Sequence, residues 1–313
     1  MANILSTFTI TLSCLLGSVF ILPQAWAEST ADDAGSKTIS VPSGEASPDE
    51  ITVEHSKINT ADASPVDPGH YEIEPSYSFT SARRFWNGSG NIHSRGGLFQ
   101  EQNINVSVTR GLVENADVNV SGGYSWLRDN SNNFDEDAGF MGPSTGSNFT
   151  DLAVSGRYRF YNNEKQHLEI AYIAGVTIPT GSSSDKDDIG TSQEYWSFDQ
   201  ILVASKDWGQ WTLNGDVGFS LPIGNKRRDA RGSLIADLAL GYQILPWLQP
   251  EVELNYGHDY LHGEGDAQTF AVTIGLVMPL NDTWRVNIGI QQGVWGENAD
   301  KATTGSVSVK YAF

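Results

Sequence analysis

The stretch "YGHDYLHGEGD", Tyr256 to Asp266, holds residue types that could move a proton: His258 and His262, with Asp259 beside the first. A histidine next to a carboxylate is half of a hydrolytic relay, and at a membrane surface a phospholipid ester would be within reach. The other half is missing, because no serine stands in the stretch. His258 also continues the side-chain parity of Val252, Leu254 and Tyr256, which makes it an interface residue of a strand. Two acidic runs, "DED" (Asp135 to Asp137) and "DKDD" (Asp185 to Asp188), offer oxygen ligands to a divalent cation. Neither has the alternating spacing and distant glutamate of a calcium loop, so both read as solvated loop carboxylates. These residues point to no catalytic centre, no metal site and no cofactor.

Asp plus Glu number 38 against 19 Lys plus Arg, a formal charge of −19. Most of such a surface repels a phosphate backbone, so nucleic acid is not expected as a partner. A hydrophobic content of 39% rules out a wholly disordered chain.

The elements that must carry these residues begin after an export address. "TFTITLSCLLGSVFIL" (Thr7 to Leu22) is an uncharged apolar core, followed by Pro23 and "AWA" (Ala25 to Ala27), whose small residues suit a signal peptidase cutting before Glu28. The departure from the pattern is "MANILS", which has no Lys or Arg. Cys14, the single cysteine, falls within this segment, so the exported chain would have neither thiol nor disulfide. Residues 28–69 are rich in Ser, Asp, Glu, Ala and Pro and read as an acidic, disordered periplasmic tail, with a plug entering a pore as the alternative.

From His70 onward the hydrophobic period is two. In "DLAVSGRYRFY" the apolar set is Leu152, Val154, Tyr158 and Phe160, and in "WTLNGDVGFSL" it is Trp211, Leu213, Val217, Phe219 and Leu221. Twelve such segments are expected, at 71–82, 98–109, 116–127, 150–160, 167–178, 196–206, 211–221, 233–243, 248–258, 268–278, 284–294 and 304–313. Each is close to the roughly 9 to 11 residues with which a tilted strand crosses a bilayer. Their connections alternate in length. "NNEKQ", "DWGQ", "ILPW" and "PLNDT" are tight turns, whereas "RDNSNNFDEDAGFMGPSTGSNF", "PTGSSSDKDDIGTSQEY", "PIGNKRRDARG" and "DYLHGEGDA" are long and polar. This parity is that of an outer-membrane barrel with short periplasmic turns and long external loops. Aromatic residues agree with it: Trp208, Trp211, Trp247 and Trp284 fall by the short turns, and Trp86, Trp126, Trp196 and Trp295 by the long loops, as two interfacial girdles. The fold class is therefore all-β, a transmembrane antiparallel up-and-down barrel over residues 70–313.

With the apolar set facing lipid, the other parity lines the lumen. The candidates are Arg157, Arg159, Glu169, Asp216, Asp237, Glu251, Glu253, Arg285 and Lys310. Charges of both signs fit a water-filled polar channel or a paired network that blocks it. The terminal "GSVSVKYAF" sets Val307, Val309, Tyr311 and Phe313 against Lys310. With an even strand count this last strand ends on the short-turn side and must pair with the first to close the sheet.

The stretches "DPGHYEIEPSYSFT" (Asp67 to Thr80), "RGLVENADVNVSGGYSW" (Arg110 to Trp126), "AGVTIPTG" (Ala174 to Gly181) and "SVSVKYAF" resemble the outer-membrane transporter family of the meta-pathway of phenol degradation, from about Pro68 to Phe313. The resemblance implies a twelve-stranded barrel in the bacterial outer membrane that passes small hydrophobic or aromatic molecules, with no catalytic residue to carry over. The expected partners are outer-membrane lipid and lipopolysaccharide, small organic solutes, and the outer-membrane assembly machinery, whose recognition signal the terminal aromatic resembles. A structural or adhesive surface barrel with a filled lumen is the second expectation, and a lipid-modifying enzyme the third.

Overall fold

The computed structural model describes residues 57–313, apart from 132–133, 136–138, 141–142, 185–188, 225–229 and 263–264. The expected signal peptide with Cys14, the acidic stretch as far as residue 56, the "DKDD" run and Glu136 and Asp137 of the "DED" run lie outside these residues.

The main sheet comprises β1 (Tyr71–Trp86), β2 (Ile92–Val113), β3 (Ala116–Asp129), β4 (Ser144–Phe149), β5 (Leu152–Asn163), β6 (Leu168–Ile178), β7 (Trp196–Trp208), β8 (Trp211–Ile223), β9 (Ala230–Tyr242), β10 (Gln249–Leu261), β11 (Ala267–Pro279), β12 (Trp284–Glu297) and β13 (Ala299–Ala312). Every neighbour is antiparallel, and β13 returns to β1, so twelve strands close into a barrel. The extra strand, β4, continues β5 on the same edge of β3: Tyr124 to Asp129 pair with β4, and Ala116 to Ser121 pair with β5. At the seam Tyr71 and Phe313 exchange backbone hydrogen bonds of 2.8 and 2.9 Å, and their rings stack at 5.6 Å. Closure joins the first and last of the twelve barrel strands, which a spanning sheet requires because lipid offers backbone groups no partner.

Alternation decides which residues face where. Ile274 is 63% exposed on the outer surface, whereas its neighbour Thr273 is 1% exposed on the inner one. Every expected segment has its strand, and most run further towards the long loops. The segment expected at 98–109 is β2, extending over 92–113, and that expected at 304–313 begins at Ala299. Polar stretches such as "ADKATT" pair as well as apolar ones once outside the belt, since the ladder uses backbone groups alone.

Trp86 is a correction. Expected in the outer girdle, it is 2% exposed, packed against Gly293 and Gly296 with the Lys301 ammonium 4.7 Å from its ring centre. The register shift after Ala82 in β1 breaks the alternation on which the expectation rested.

Candidate functional site: the barrel interior

The inner face of β8, β9 and β10 carries acids at one level, because register places Asp216 opposite Asp237 and Asp237 opposite Asn255. Asn255 donates to Asp237 at 3.0 Å and accepts from Thr273 at 2.8 Å and Gln291 at 3.1 Å. Towards the short turns on β10 lie Glu253 and Glu251, both essentially without solvent exposure.

Residues 57–66 occupy the space these acids face. The Ile58, Asn59 and Thr60 N–H groups donate to Glu253 Oε1 at 3.0, 2.9 and 3.2 Å, and Ile58 N–H also reaches Glu251 at 3.0 Å. Ala61 N–H donates to Asp216 at 2.8 Å, Ala63 N–H to Ser205 at 3.0 Å and Val66 N–H to Asp117 at 2.9 Å. Ser64 donates its hydroxyl to Glu169 at 2.5 Å, and Lys57 pairs with Glu251 at 3.6 Å. The segment thus touches β3, β6, β7, β8 and β10 in turn, following the inner wall near its short-turn end. A carboxylate that accepts several N–H groups holds an extended backbone without reading its side chains.

Apolar side chains of the segment matter at two points. Ala63 is fully buried against Ala171, Ile173, Ile201 and Val203. Ile58 seats in a notch made by the paired glycines Gly275 and Gly289. A Cβ on Gly289 would stand 2.8 Å from Ile58 Cγ2, and one on Gly275 would stand 2.2 Å from its Cδ1.

Of the remaining charged candidates, Arg157, Arg159, Glu169 and Lys310 are in ion pairs. Arg157 binds Asp117 through a short ion pair and donates to the Asp62 carbonyl at 2.9 Å. Arg159 pairs with Glu169 at 2.7 Å, Lys310 with Glu72 at 2.7 Å, and Arg285 lies opposite Lys310 in the β12–β13 register. Of the terminal residues, Val307, Tyr311 and Phe313 are exposed, and Tyr311 stacks on Phe313 at 5.3 Å.

The long-loop half of the interior is different. Phe99, Ala82 and Leu127 pack with Ile189, whose N–H donates to the Thr145 carbonyl at 3.0 Å and so draws the β6–β7 connection over β4. Arg95 bridges Asp129 at 2.6 Å and Asp300 more closely still, tying β2, β3 and β13 together at this mouth. A small recess open to solvent lies there, lined by Thr80, Phe99, Ser233, Ile235, Asp259, Thr269 and Asp300 among others.

His258 does not work with Asp259. The two are adjacent on a strand and point to opposite faces. His258 meets Asp266 at 3.3 Å and Tyr256 at 3.3 Å on the outer side, and stacks on Tyr260 at 4.1 Å. Asp266, outside the strands, is held below the usual carboxylate range by the Leu261 N–H group and by His258. The single Gly-x-Ser-x-Gly string, residues 142–146, has its Ser144 in β4, not on a strand-to-helix elbow. No group of three metal-ligating side chains occurs among the described residues.

Lys57 to Val66 carry no period-two signal, so sequence reasoning gave no reason to single out Ile58 or Ala63. Gly275 and Gly289 were the available clue: a glycine in a strand interior often marks close approach of another backbone.

Residues 102–311 match the model of the family described as "Putative MetA-pathway of phenol degradation". No curated protein matches the sequence significantly. Among solved structures, the chain is similar to the COG4313 outer membrane channel from Pseudomonas putida F1, at 15% identity and a TM-score of 0.67, covering 82% of this chain and 100% of that one. The translocator domain of the autotransporter NalP from Neisseria meningitidis aligns at 11% identity and a TM-score of 0.45, over 79% of this chain and 90% of that one. The monoaromatic hydrocarbon channel CymD aligns at 9% identity and 0.42, over 79% and 89%.

Proposed function

We propose, on the premise that the chain belongs to the phenol-degradation family its residues 102–311 match, that it is an outer-membrane channel for passive passage of small organic solutes, hydrophobic and aromatic ones included. Residues 57–66 are its gate at the periplasmic mouth. One observation carries this reading: a closed barrel with an apolar exterior encloses a polar interior whose carboxylates hold a chain segment by its backbone. Wall residues that hold a segment mostly through hydrogen bonds that water can replace are suited to a reversible obstruction. Solutes pass down their gradient when the segment withdraws, and the lumen charges, Arg157, Arg159, Asp216, Glu251 and Glu253 among them, set which ones enter.

Export by a cleaved signal peptide, residence among outer-membrane lipid and lipopolysaccharide, and handling by the assembly machinery through Val307, Val309, Tyr311 and Phe313 belong to the same proposal. Its test is solute flux and planar-bilayer conductance of the refolded protein, alone and with residues 57–66 deleted. Flux or conductance that rises on deletion supports it; neither in either form would sink it. That outcome would instead favour a structural surface barrel, the reading supported by the occupied lumen.

A further inference from the structure

The chain carries a net charge of −19, and within the barrel its cations are answered by acids: Arg95, Arg157, Arg159 and Lys310 each hold a carboxylate. Three arginines on the outside are not answered. Arg83 and Arg84 are exposed and make no ion pair, hydrogen bond or ring contact among the described residues. Arg128, also exposed, makes one bond there, from Nε to the Asn130 side chain at 3.1 Å. Unpaired guanidinium groups in so acidic a chain are a surface waiting for an anion.

Strand register puts the three on one sector of the wall. Ser81 on β1, Gln100 on β2 and Arg128 on β3 stand side by side, which at ~4.8 Å between neighbouring strands sets Arg128 about 10 Å from Ser81. Arg83 follows Ser81 by two residues, and the register shift between Ala82 and Arg84 leaves Arg84 exposed as well. Towards the short turns the outward positions of β2 are Ile104, Val106 and Val108, all exposed, whereas towards the long loops they are Gln102 and Gln100. Trp126 lies opposite Gln102, an amphipathic ring at this boundary. The arginines therefore stand just above the apolar belt, at headgroup depth on the long-loop side. No carboxylate faces outward on these strands: Glu101, Asp117 and Asp129 are buried, and Glu72 and Glu74 turn inward to Lys310. On β7 and β8, by contrast, the exposed residues at the long-loop ends are Trp196 and Ile223.

A cationic patch bordering an apolar wall fits a ligand that is anionic at one end and acyl at the other. We propose that the outer faces of β1, β2 and β3 bind the phosphorylated saccharide headgroup of an outer-leaflet glycolipid. Arg83, Arg84 and Arg128 take its phosphoryl oxygens, which match the paired N–H donors of a guanidinium. Gln100, whose amide makes no side-chain hydrogen bond among the described residues, and Trp126 lie under the sugar. The acyl chains run down over Tyr77, Phe79 and Ile104. The inference rests on the outer-membrane placement proposed above and not on conduction. A lipid held there relieves the mutual repulsion of the arginines and fixes the depth of this side of the barrel.

The experiment is equilibrium binding of diphosphorylated lipid A, and of the same lipid with its phosphates removed, to the full refolded chain in uncharged detergent, with planar-bilayer conductance measured in parallel. Folding of each variant is checked by its heat-sensitive gel migration. The phosphorylated lipid should bind saturably, more tightly than the dephosphorylated one, and more weakly as salt rises. Arg83→Gln, Arg84→Gln and Arg128→Gln should each weaken it roughly fivefold, and the triple variant roughly a hundredfold. Arg110→Gln, an exposed arginine at the short-turn end of β2, should change nothing. Conductance should be the same in every variant. Equal affinity for the two lipids, or a triple variant that binds like the wild type, would overturn the site. Phosphatidylglycerol or inorganic phosphate held as tightly as lipid A would reduce the patch to a general anionic surface and overturn the glycolipid. Binding without conductance would leave the site standing and overturn the channel reading, and conductance without binding would do the reverse.

Discussion

Glu253→Ala is the sharpest perturbation of the segment in the lumen. Glu253 Oε1 accepts from three consecutive N–H groups, those of Ile58, Asn59 and Thr60. Where water can enter and replace the lost partner, each bond contributes ~1 kcal/mol net. The three together give about 3 kcal/mol, which at ~1.4 kcal/mol per decade moves the segment roughly a hundredfold towards its withdrawn state. The barrel itself should not suffer, because the substitution also removes a buried charge from beside Glu251. Single-channel recording in planar bilayers reads the ratio of open to closed dwell times, with a chain lacking residues 57–66 as the fully open reference. Glu253→Ala should approach that reference, and Glu253→Gln, with one acceptor oxygen left, should fall between it and the wild type. A dwell-time ratio unchanged in Glu253→Ala, when the deletion does open the channel, would refute the tether. Identical traces from all of them would refute the gate.

Gly289→Ala places a methyl against Ile58 and should open the channel much as Glu253→Ala does, while adding Ile58→Ala, which removes the clashing Cγ2, should close it again. Arg157→Ala leaves Asp117 buried without its guanidinium; breaking such a pair costs about 3 kcal/mol, read as a lower urea midpoint from liposomes, and Asp117→Ala in the same chain should recover much of it. Deleting Phe313 removes two seam hydrogen bonds and two ring stacks, and should cut the folded yield while molecules that do fold conduct normally; a full yield would count against a role in assembly.

The barrel was legible because period-two alternation is a property of each strand by itself. "WTLNGDVGFSL" declares its outer and inner faces without reference to any neighbour, and the turn "DWGQ" declares the reversal. Strand ends were less legible, since beyond the belt a ladder tolerates any side chain, as the start of β13 at Ala299 illustrates. Trp86 defeated the reading through a register shift that leaves no mark in composition. The segment at 57–66 is held mostly through main-chain N–H groups, so its binding partners are written in Glu253, Asp216 and Asp117, far along the chain, and not in its own residues.

The backbone tether has an electrical side. With residues 57–66 seated, Asp216, Glu251 and Glu253 spend their lone pairs on peptide hydrogens, and Lys57 stands against Glu251. Withdrawal would take the peptide dipoles and that ammonium away together, and would bare a crescent of fixed negative charge at the mouth. The side chains that latch the closed form thereby become the ion filter of the open one, so the open pore should carry potassium in preference to chloride, and its preference should fade as salt screens the crescent.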